Sequence, residues 1–325
     1  MIRVVLWTLF TSQLQALAAG LRNEEGITLV VPADAEAACA ALQEADAALL
    51  MGASPGYSAA LAQAVRAAPR LRWLQLISTG QEGVEAHGVP PHLTVTGVGE
   101  TAAPVVAEHA LALLLAVARR IGDAAVQGAR AEWSHAHAAD ITSLEGRTLC
   151  LAGYGRIGRE IARRAQAFGM ECIAVNRSGR NDAPDLARTV YPLARLHEAL
   201  AQSDAVAISL PDAPGIRGVF DAAAWRACRP GSLVVNVGRG TVVDSDSLAA
   251  ALAEGHIAGA GLDVTDPEPL PPQHALWRAP GALITPHVGG AGSAAGMARL
   301  LELLRDNLRR FRTGEPLRHG VTVGA

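Results

Sequence analysis

Residues 153–158 read Gly-Tyr-Gly-Arg-Ile-Gly, between an apolar run from Thr148 to Ala152 and a helical pattern carried by Ile157, Ile161, Ala165 and Phe168. A strand, a tight turn and a helix start, in that order, constrain this chain more than any other stretch. Gly153 allows the sharp turn, Gly155 lets a pyrophosphate approach the backbone, and Gly158 lets the helix pack closely on the strand. The N–H groups and positive dipole end of such a helix hold phosphates. Gly169 stops the helix and Glu171–Val175 reads as the next strand, so a dinucleotide-binding unit is expected to start here.

The rest of the chain fits around that unit. At 325 residues it has room for two domains of ordinary size. Up to about residue 99, short apolar runs (Val4–Leu6, Thr28–Val31, Ala47–Met51, Leu74–Ile77, Leu93–Thr96) alternate with Ala-rich helical stretches and a turn region after Gly80. Alternation of this kind predicts a parallel sheet covered by helices on both faces. A long apolar helix is expected from Thr101 to about Arg120, followed by a loop carrying Trp133. The alternation then resumes with six predicted strands at 148–152, 171–175, 205–210, 232–236, 258–262 and 282–285. A final helix, Ala291 to Phe311, is expected to return to the N-terminal domain. The domains are therefore 1–99 with 291–325, and 100–290, each a doubly wound α/β unit.

Composition excludes several function classes. A net charge of −3 argues against a nucleic-acid surface, which needs a basic stripe. All 28 basic residues are Arg, which we read as compositional bias. Half the residues are apolar but few are aromatic, so Ala, Val, Leu and Ile must build the core. Cys39, Cys150, Cys172 and Cys228 are scattered without a CxxC pair, as expected of structural thiols in a reducing compartment. The apolar stretch Ala110–Ala118 is too short to span a bilayer. His135 and His137 lack a third ligand nearby in sequence, so no metal is expected. The expectation is a cytoplasmic globular protein with neither nucleic-acid nor membrane partners.

The end of the second nucleotide-domain strand bears on cofactor choice. In this fold a carboxylate there usually takes the ribose 2′-hydroxyl of NAD. Here the chain reads Asn176-Arg177-Ser178-Gly179-Arg180. A 2′-phosphate would meet no repelling acid, and Arg177 and Arg180 could pair with its oxygens. NADP is therefore expected over NAD.

Three later strand ends carry charged or titratable groups: Val237-Gly238-Arg239, Asp263 to Glu268, and Thr285-Pro286-His287-Val288-Gly289-Gly290. Ligands gather at these ends of an open parallel sheet. With "VVAEHALALLLAVARR", "GYGRIGREIARRAQAFGM", "NVGRGTVVDSDSL", "LDVTDPEPLP" and "TPHVGG", the chain resembles the D-isomer-specific 2-hydroxyacid dehydrogenases from about Leu74 onward. The resemblance implies a flavodoxin-like substrate domain beside a Rossmann dinucleotide-binding domain. It implies a substrate arginine at Arg239, an acid at Glu268 and an acid/base histidine at His287. It also implies cofactor contacts from the backbone of Arg156 and Ile157 and from Val237, Gly238, Asp263, Gly289 and Gly290. A substrate loop follows at Ser78, Thr79, Gly80 and Gln81, with the active site in a cleft between the domains.

The chemistry of those residue types agrees. Arg239 can bind the carboxylate of a 2-oxo acid bidentately and polarise the adjacent carbonyl. His287 can protonate the oxygen as hydride reaches the carbonyl carbon. Glu268 would orient the imidazole and raise its pKa.

Some positions depart from the family pattern. Glu82 and Glu85 stand where many members have Asp, and Ala213 replaces a usual Thr. The leading expectation is an NADP-preferring reductase of a small acid such as glyoxylate or hydroxypyruvate. Alternatives are a phosphite dehydrogenase, a phosphoglycerate dehydrogenase without a regulatory tail, or a nucleotide-sensing protein of the corepressor kind. Glu268 disfavours a formate dehydrogenase, which carries Gln there. A homodimer is expected, on the argument that the long helix after Thr101 has more apolar surface than one domain needs.

Overall fold

The computed structural model describes residues 1–213 and 215–323. It divides into two compact units, Met1–Ala102 with Ser293–Ala325, and Ala103–Gly292. The joins read from the sequence, at 99/100 and 290/291, lie a few residues earlier. Gly324 and Ala325, included in the sequence-based span, are outside the described residues.

The first unit opens with β1 (Ile2–Trp7), α1 (Thr11–Leu21), β2 (Ile27–Val30), α2 (Ala35–Leu42) and β3 (Ala47–Leu50). It continues through α3 (Ala59–Ala67), β4 (Trp73–Leu76), α4 (Glu82–His87) and β5 (Thr94–Thr96). Its five parallel strands run in the order β2-β1-β3-β4-β5, the flavodoxin-like arrangement. β3 and β4 are buried along their whole length, as strands covered on both faces must be. Asp34 and Ser58 cap α2 and α3 by accepting from the backbone N–H groups of Ala37 and Leu61. The short α4 occupies part of the region expected to be a turn.

The second unit begins with α5 (Ala103–Ala118) and α6 (Ile121–Ala129), followed by β6 (Thr148–Ala152), α7 (Arg156–Ala167), β7 (Glu171–Asn176) and β8 (Thr189–Pro192). Then come α8 (Leu196–Leu200), β9 (Ala205–Ile208), α9 (Ala222–Ala227), β10 (Ser232–Asn236), α10 (Ser245–Ala253), β11 (Ile257–Leu262) and β12 (Ala282–Ile284). The seven strands are parallel in the order β12-β11-β10-β9-β6-β7-β8. This is the doubly wound order of a dinucleotide fold extended by one strand at the β12 edge.

Two elements correct the sequence reading. The sheet has seven strands, not the expected six; the additional one is β8. Thr189-Val190-Tyr191-Pro192 is a short, half-exposed edge strand ending in proline, which gives little apolar signal. The predicted loop after α5 also contains α6. Arg120 takes a left-handed conformation (φ 54°) that separates the two helices, and α6 buries none of its residues.

α5 also answers the argument made for a dimer. Val106, Ala107, Ala110, Leu111, Leu113, Leu114 and Val117 are buried, and the helix packs on α7, β10 and β11. Much of the apolar surface read from the sequence is therefore covered by the helix's own domain, while Ala112 stays exposed and Leu115 half-buried. Exposed apolar side chains follow in α6 and the loop after it, at Ile121, Val126, Trp133 and Ile141.

The chain finishes with α11 (Ala294–Thr313), capped by Ser293 at its start and by Gly314 in a left-handed conformation at its end. Leu300, Leu304 and Leu308 pack into the first unit's core with Val4, Leu6, Leu17 and Leu21.

Candidate active site

The β6–α7 turn has the shape expected of a phosphate cradle. Gly153 has φ 105°, and a side chain there would press on the Ser209 backbone at 2.8 Å. A Cβ at Gly158 would collide with the Gly153 carbonyl oxygen, so the close approach of helix to strand requires glycine. Gly155 faces open space: a Cβ there would meet nothing within 4 Å. No side chain caps the first turn of α7. An uncapped helix start, reached across an unobstructed glycine, fits a pyrophosphate.

At the end of β7 the Asn176 side chain organises the loop. Its Oδ1 accepts from the N–H of Ser178 (3.1 Å) and Gly179 (2.6 Å), and its Nδ2 donates to the Arg180 carbonyl (2.8 Å). Arg180, which is exposed, pairs with Asp182 at 2.7 Å. Arg177 is exposed and makes no ion pair with any described residue.

Three further strand ends carry the predicted reactive groups. After β10, Asn236 accepts from Gly238 N–H (3.0 Å) and donates to the Arg239 carbonyl (3.0 Å), which fixes the turn presenting Arg239. The half-buried Arg239 donates from Nη1 to the Gly238 carbonyl (2.7 Å).

After β11 the loop to Pro269 is braced by Arg217, which pairs with Asp266 (2.6 Å), and by Ser245 Oγ, which donates to the Asp266 carbonyl (3.0 Å). This loop brings Glu268 to the residue after Pro286: His287 Nδ1 lies 2.6 Å from Glu268 Oε1. The hydrogen bond to Glu268 raises the His287 pKa above the ordinary imidazole value, against the opposing effects of partial burial and of the Arg239 charge. Glu268 and Arg239 thus both act on the His287 ring.

Asp263 is expected beside a nicotinamide carboxamide. Its buried carboxylate is bonded to Thr285 Oγ1 (2.6 Å), Val288 N–H (2.9 Å) and Gly289 N–H (2.8 Å), with His109 Nε2 at 3.2 Å. Val237, Gly238 and Gly289 are buried and Gly290 is exposed.

In the first unit, the Ser78 hydroxyl accepts from the N–H groups of Gly52 (2.9 Å) and Ala53 (3.2 Å) and donates to the Gly80 carbonyl (2.9 Å). It joins the loops after β3 and β4. Thr79 is exposed and Gly80 buried.

Comparison with known proteins places this arrangement. The family described as D-isomer specific 2-hydroxyacid dehydrogenase, NAD binding domain, matches residues 111–289. The chain belongs to that family. A glyoxylate reductase of Korarchaeum cryptofilum is 33% identical over 259 residues, covering 78% of this chain and 77% of that protein. A D-3-phosphoglycerate dehydrogenase of Mycobacterium bovis is 32% identical over 311 residues, 94% of this chain but 56% of that longer protein. Among solved structures, an NADPH-dependent glyoxylate/hydroxypyruvate reductase from Sinorhizobium meliloti, in complex with citrate, aligns with a TM-score of 0.77 at 28% identity, covering 99% of this chain and 97% of that one.

As a D-2-hydroxyacid dehydrogenase the protein is an oxidoreductase with an NAD-binding domain. Among the described residues no helix is long and apolar enough to cross a membrane. Nothing in the sequence singles out His109, which lies within α5. Its bond to Asp263 joins residues far apart in sequence, and no local pattern signals it.

Proposed function

We propose that this D-2-hydroxyacid dehydrogenase reduces a small 2-oxo acid of the glyoxylate or hydroxypyruvate type, with a preference for NADPH. The observation that carries the reading is the 2.6 Å contact between His287 and Glu268, at the strand ends of the sheet that also carries the phosphate cradle.

The roles follow from the chemistry of each group. Gly153, Gly155 and Gly158 shape the cradle, and the backbone of Arg156 and Ile157 would hold the pyrophosphate. Arg239 binds the substrate carboxylate and draws charge from the neighbouring carbonyl. Glu268 takes the Nδ1 proton of His287 in a hydrogen bond, so Nε2 is the atom that exchanges a proton with substrate oxygen. A bound reduced nicotinamide supplies the hydride delivered to the carbonyl carbon. His287 donates its proton as negative charge grows on oxygen, and takes it back in the oxidative direction.

NADPH is favoured because Asn176 stands where a carboxylate would repel a 2′-phosphate, and because exposed Arg177 lies beside it. The Sinorhizobium meliloti relative is NADPH-dependent, which supports the same choice. The exposed apolar side chains Ile121, Val126, Trp133 and Ile141 support a homodimer through α6 and the loop after it; light scattering that reads a monomer at micromolar concentration would exclude this.

Incubation with NADPH and a panel of 2-oxo acids, followed by absorbance loss, tests the reading. Turnover of glyoxylate or hydroxypyruvate is expected. Turnover restricted to a phosphorylated acid with NAD(H) would favour the phosphoglycerate dehydrogenase reading, and no turnover with any acid would end the proposal.

A further inference from the structure

His109 has no part in the chemistry above, yet it reaches the loop that carries His287. Its Nε2 lies 3.0 Å from Thr285 Oγ1 and 3.2 Å from Asp263 Oδ1. The bonding pattern fixes where the proton sits. Thr285 gives its single hydroxyl proton to Asp263 Oδ1 at 2.6 Å, and an ionised carboxylate only accepts. Nε2 of His109 must therefore carry hydrogen and donate.

The loop held in this way is unusual. His287 has φ 54°, in the left-handed region that a residue with a side chain rarely adopts. Such a conformation persists where its surroundings over-determine it. Here three successive N–H groups end on Asp263. Those of His287, Val288 and Gly289 meet its carbonyl (2.9 Å), Oδ1 (2.9 Å) and Oδ2 (2.8 Å). The Asp263 N–H in turn donates to the Asn236 carbonyl (2.9 Å), and the Asn236 side chain brackets the Arg239 turn. The direction of one buried carboxylate thus sets the position of His287, and Thr285 and His109 set the direction of that carboxylate.

We propose that His109 is a positioning residue for the His287 imidazole: donating from Nε2 to Thr285 and Asp263, it locks the carboxylate that holds residues 287–289 in their left-handed turn. The inference rests on reading His287 as the proton donor. Glu268, Arg239 and Asp263 are the charged groups that act on His287, and His109 works through the last of them.

The test compares the parent with His109→Phe, His109→Gln and Thr285→Val, using His287→Gln as reference. Four quantities are read: thermal unfolding, NADPH affinity from fluorescence, kcat and KM for glyoxylate, and the titration of the His287 imidazole by NMR in cofactor-free protein. In His109→Phe, which keeps ring volume and removes the donor, kcat is expected to fall about 10- to 100-fold, the penalty of a small misplacement of a reacting group. KM and NADPH affinity stay within roughly twofold. The His287 titration moves down towards the ordinary imidazole value of about 6.5, because the ring drifts from Glu268.

His109→Gln, which offers an N–H at similar reach, restores most of kcat and the titration. Thr285→Val keeps shape, removes the relaying hydroxyl, and reproduces the Phe phenotype; it stands in if His109→Phe fails to fold. A folded His109→Phe or Thr285→Val with parental kcat and an unmoved titration overturns the proposal, as does a loss that His109→Gln does not repair. If His287→Gln turns over like the parent, the reading of His287 fails instead, and the NMR titration still decides whether His109 positions that ring.

Discussion

The imidazole Nδ1 of His287 and the carboxylate Oε1 of Glu268 stand 2.6 Å apart, although the two residues lie on loops that follow different strands. A hydrogen bond of this length to an ionised partner holds a ring in one tautomer and one orientation. It also biases the ring towards its protonated form, and the His287 pKa is raised for that reason first.

The pH dependence of turnover follows with a definite sign. Reduction needs protonated His287, so reductive kcat/KM should be full at low pH and fall as pH rises through the raised pKa. Oxidation needs the neutral ring and should rise over the same range. Glu268→Gln removes the cause of the shift and moves both limbs to lower pH. Near pH 7.5 the reductive rate should drop about tenfold or more. Initial-rate pH profiles in both directions measure this, and limbs that stay in place would contradict it.

Cofactor preference should depend on the end of β7. Arg177→Ala is expected to raise KM for NADPH about tenfold, the loss of one charge-assisted hydrogen bond, with little change for NADH. Asn176→Asp keeps the acceptor that Ser178 and Gly179 use but sets a negative charge beside any 2′-phosphate. It should turn the preference towards NADH. Paired kcat/KM values for the two cofactors check both variants; an unchanged ratio would remove the argument for NADPH.

Much of this architecture can be read from the amino-acid sequence, for identifiable reasons. Strands such as β6 and β10 are buried along their length and appear as continuous apolar runs. The glycine fingerprint marks its own turn because no other residue fits Gly153 and Gly158. β8 escaped because an edge strand half open to water does not need an apolar run. α6 escaped because it buries none of its residues. Glu268 and His287, which the structure brings together, stand out in the sequence as charged or titratable groups at strand ends. The contacts of Asp263 with Thr285 and His109 could not, because they depend on how α5 packs against β11. The exposed ion pair between Arg180 and Asp182, two residues further on, was likewise not expected from the sequence.

The phosphate cradle makes a stability prediction. In Gly158→Ala the new methyl must displace the Gly153 carbonyl, which belongs to the backbone and cannot swing aside as a side chain would. A loss of about 3 kcal/mol is expected, at the upper end for overpacking, together with weakened cofactor binding. Calorimetry and NADPH titration read the two effects. A variant that melts and binds like the parent would show that helix α7 and strand β6 are not held as closely as described.

The most direct test of the account is the single-turnover rate of glyoxylate reduction by His287→Gln at saturating NADPH. If His287 delivers the proton to substrate oxygen, the rate should fall about 10²- to 10⁴-fold while NADPH affinity and thermal stability stay near parental values. A rate within a few-fold of the parent, in a folded variant that binds cofactor normally, would contradict it.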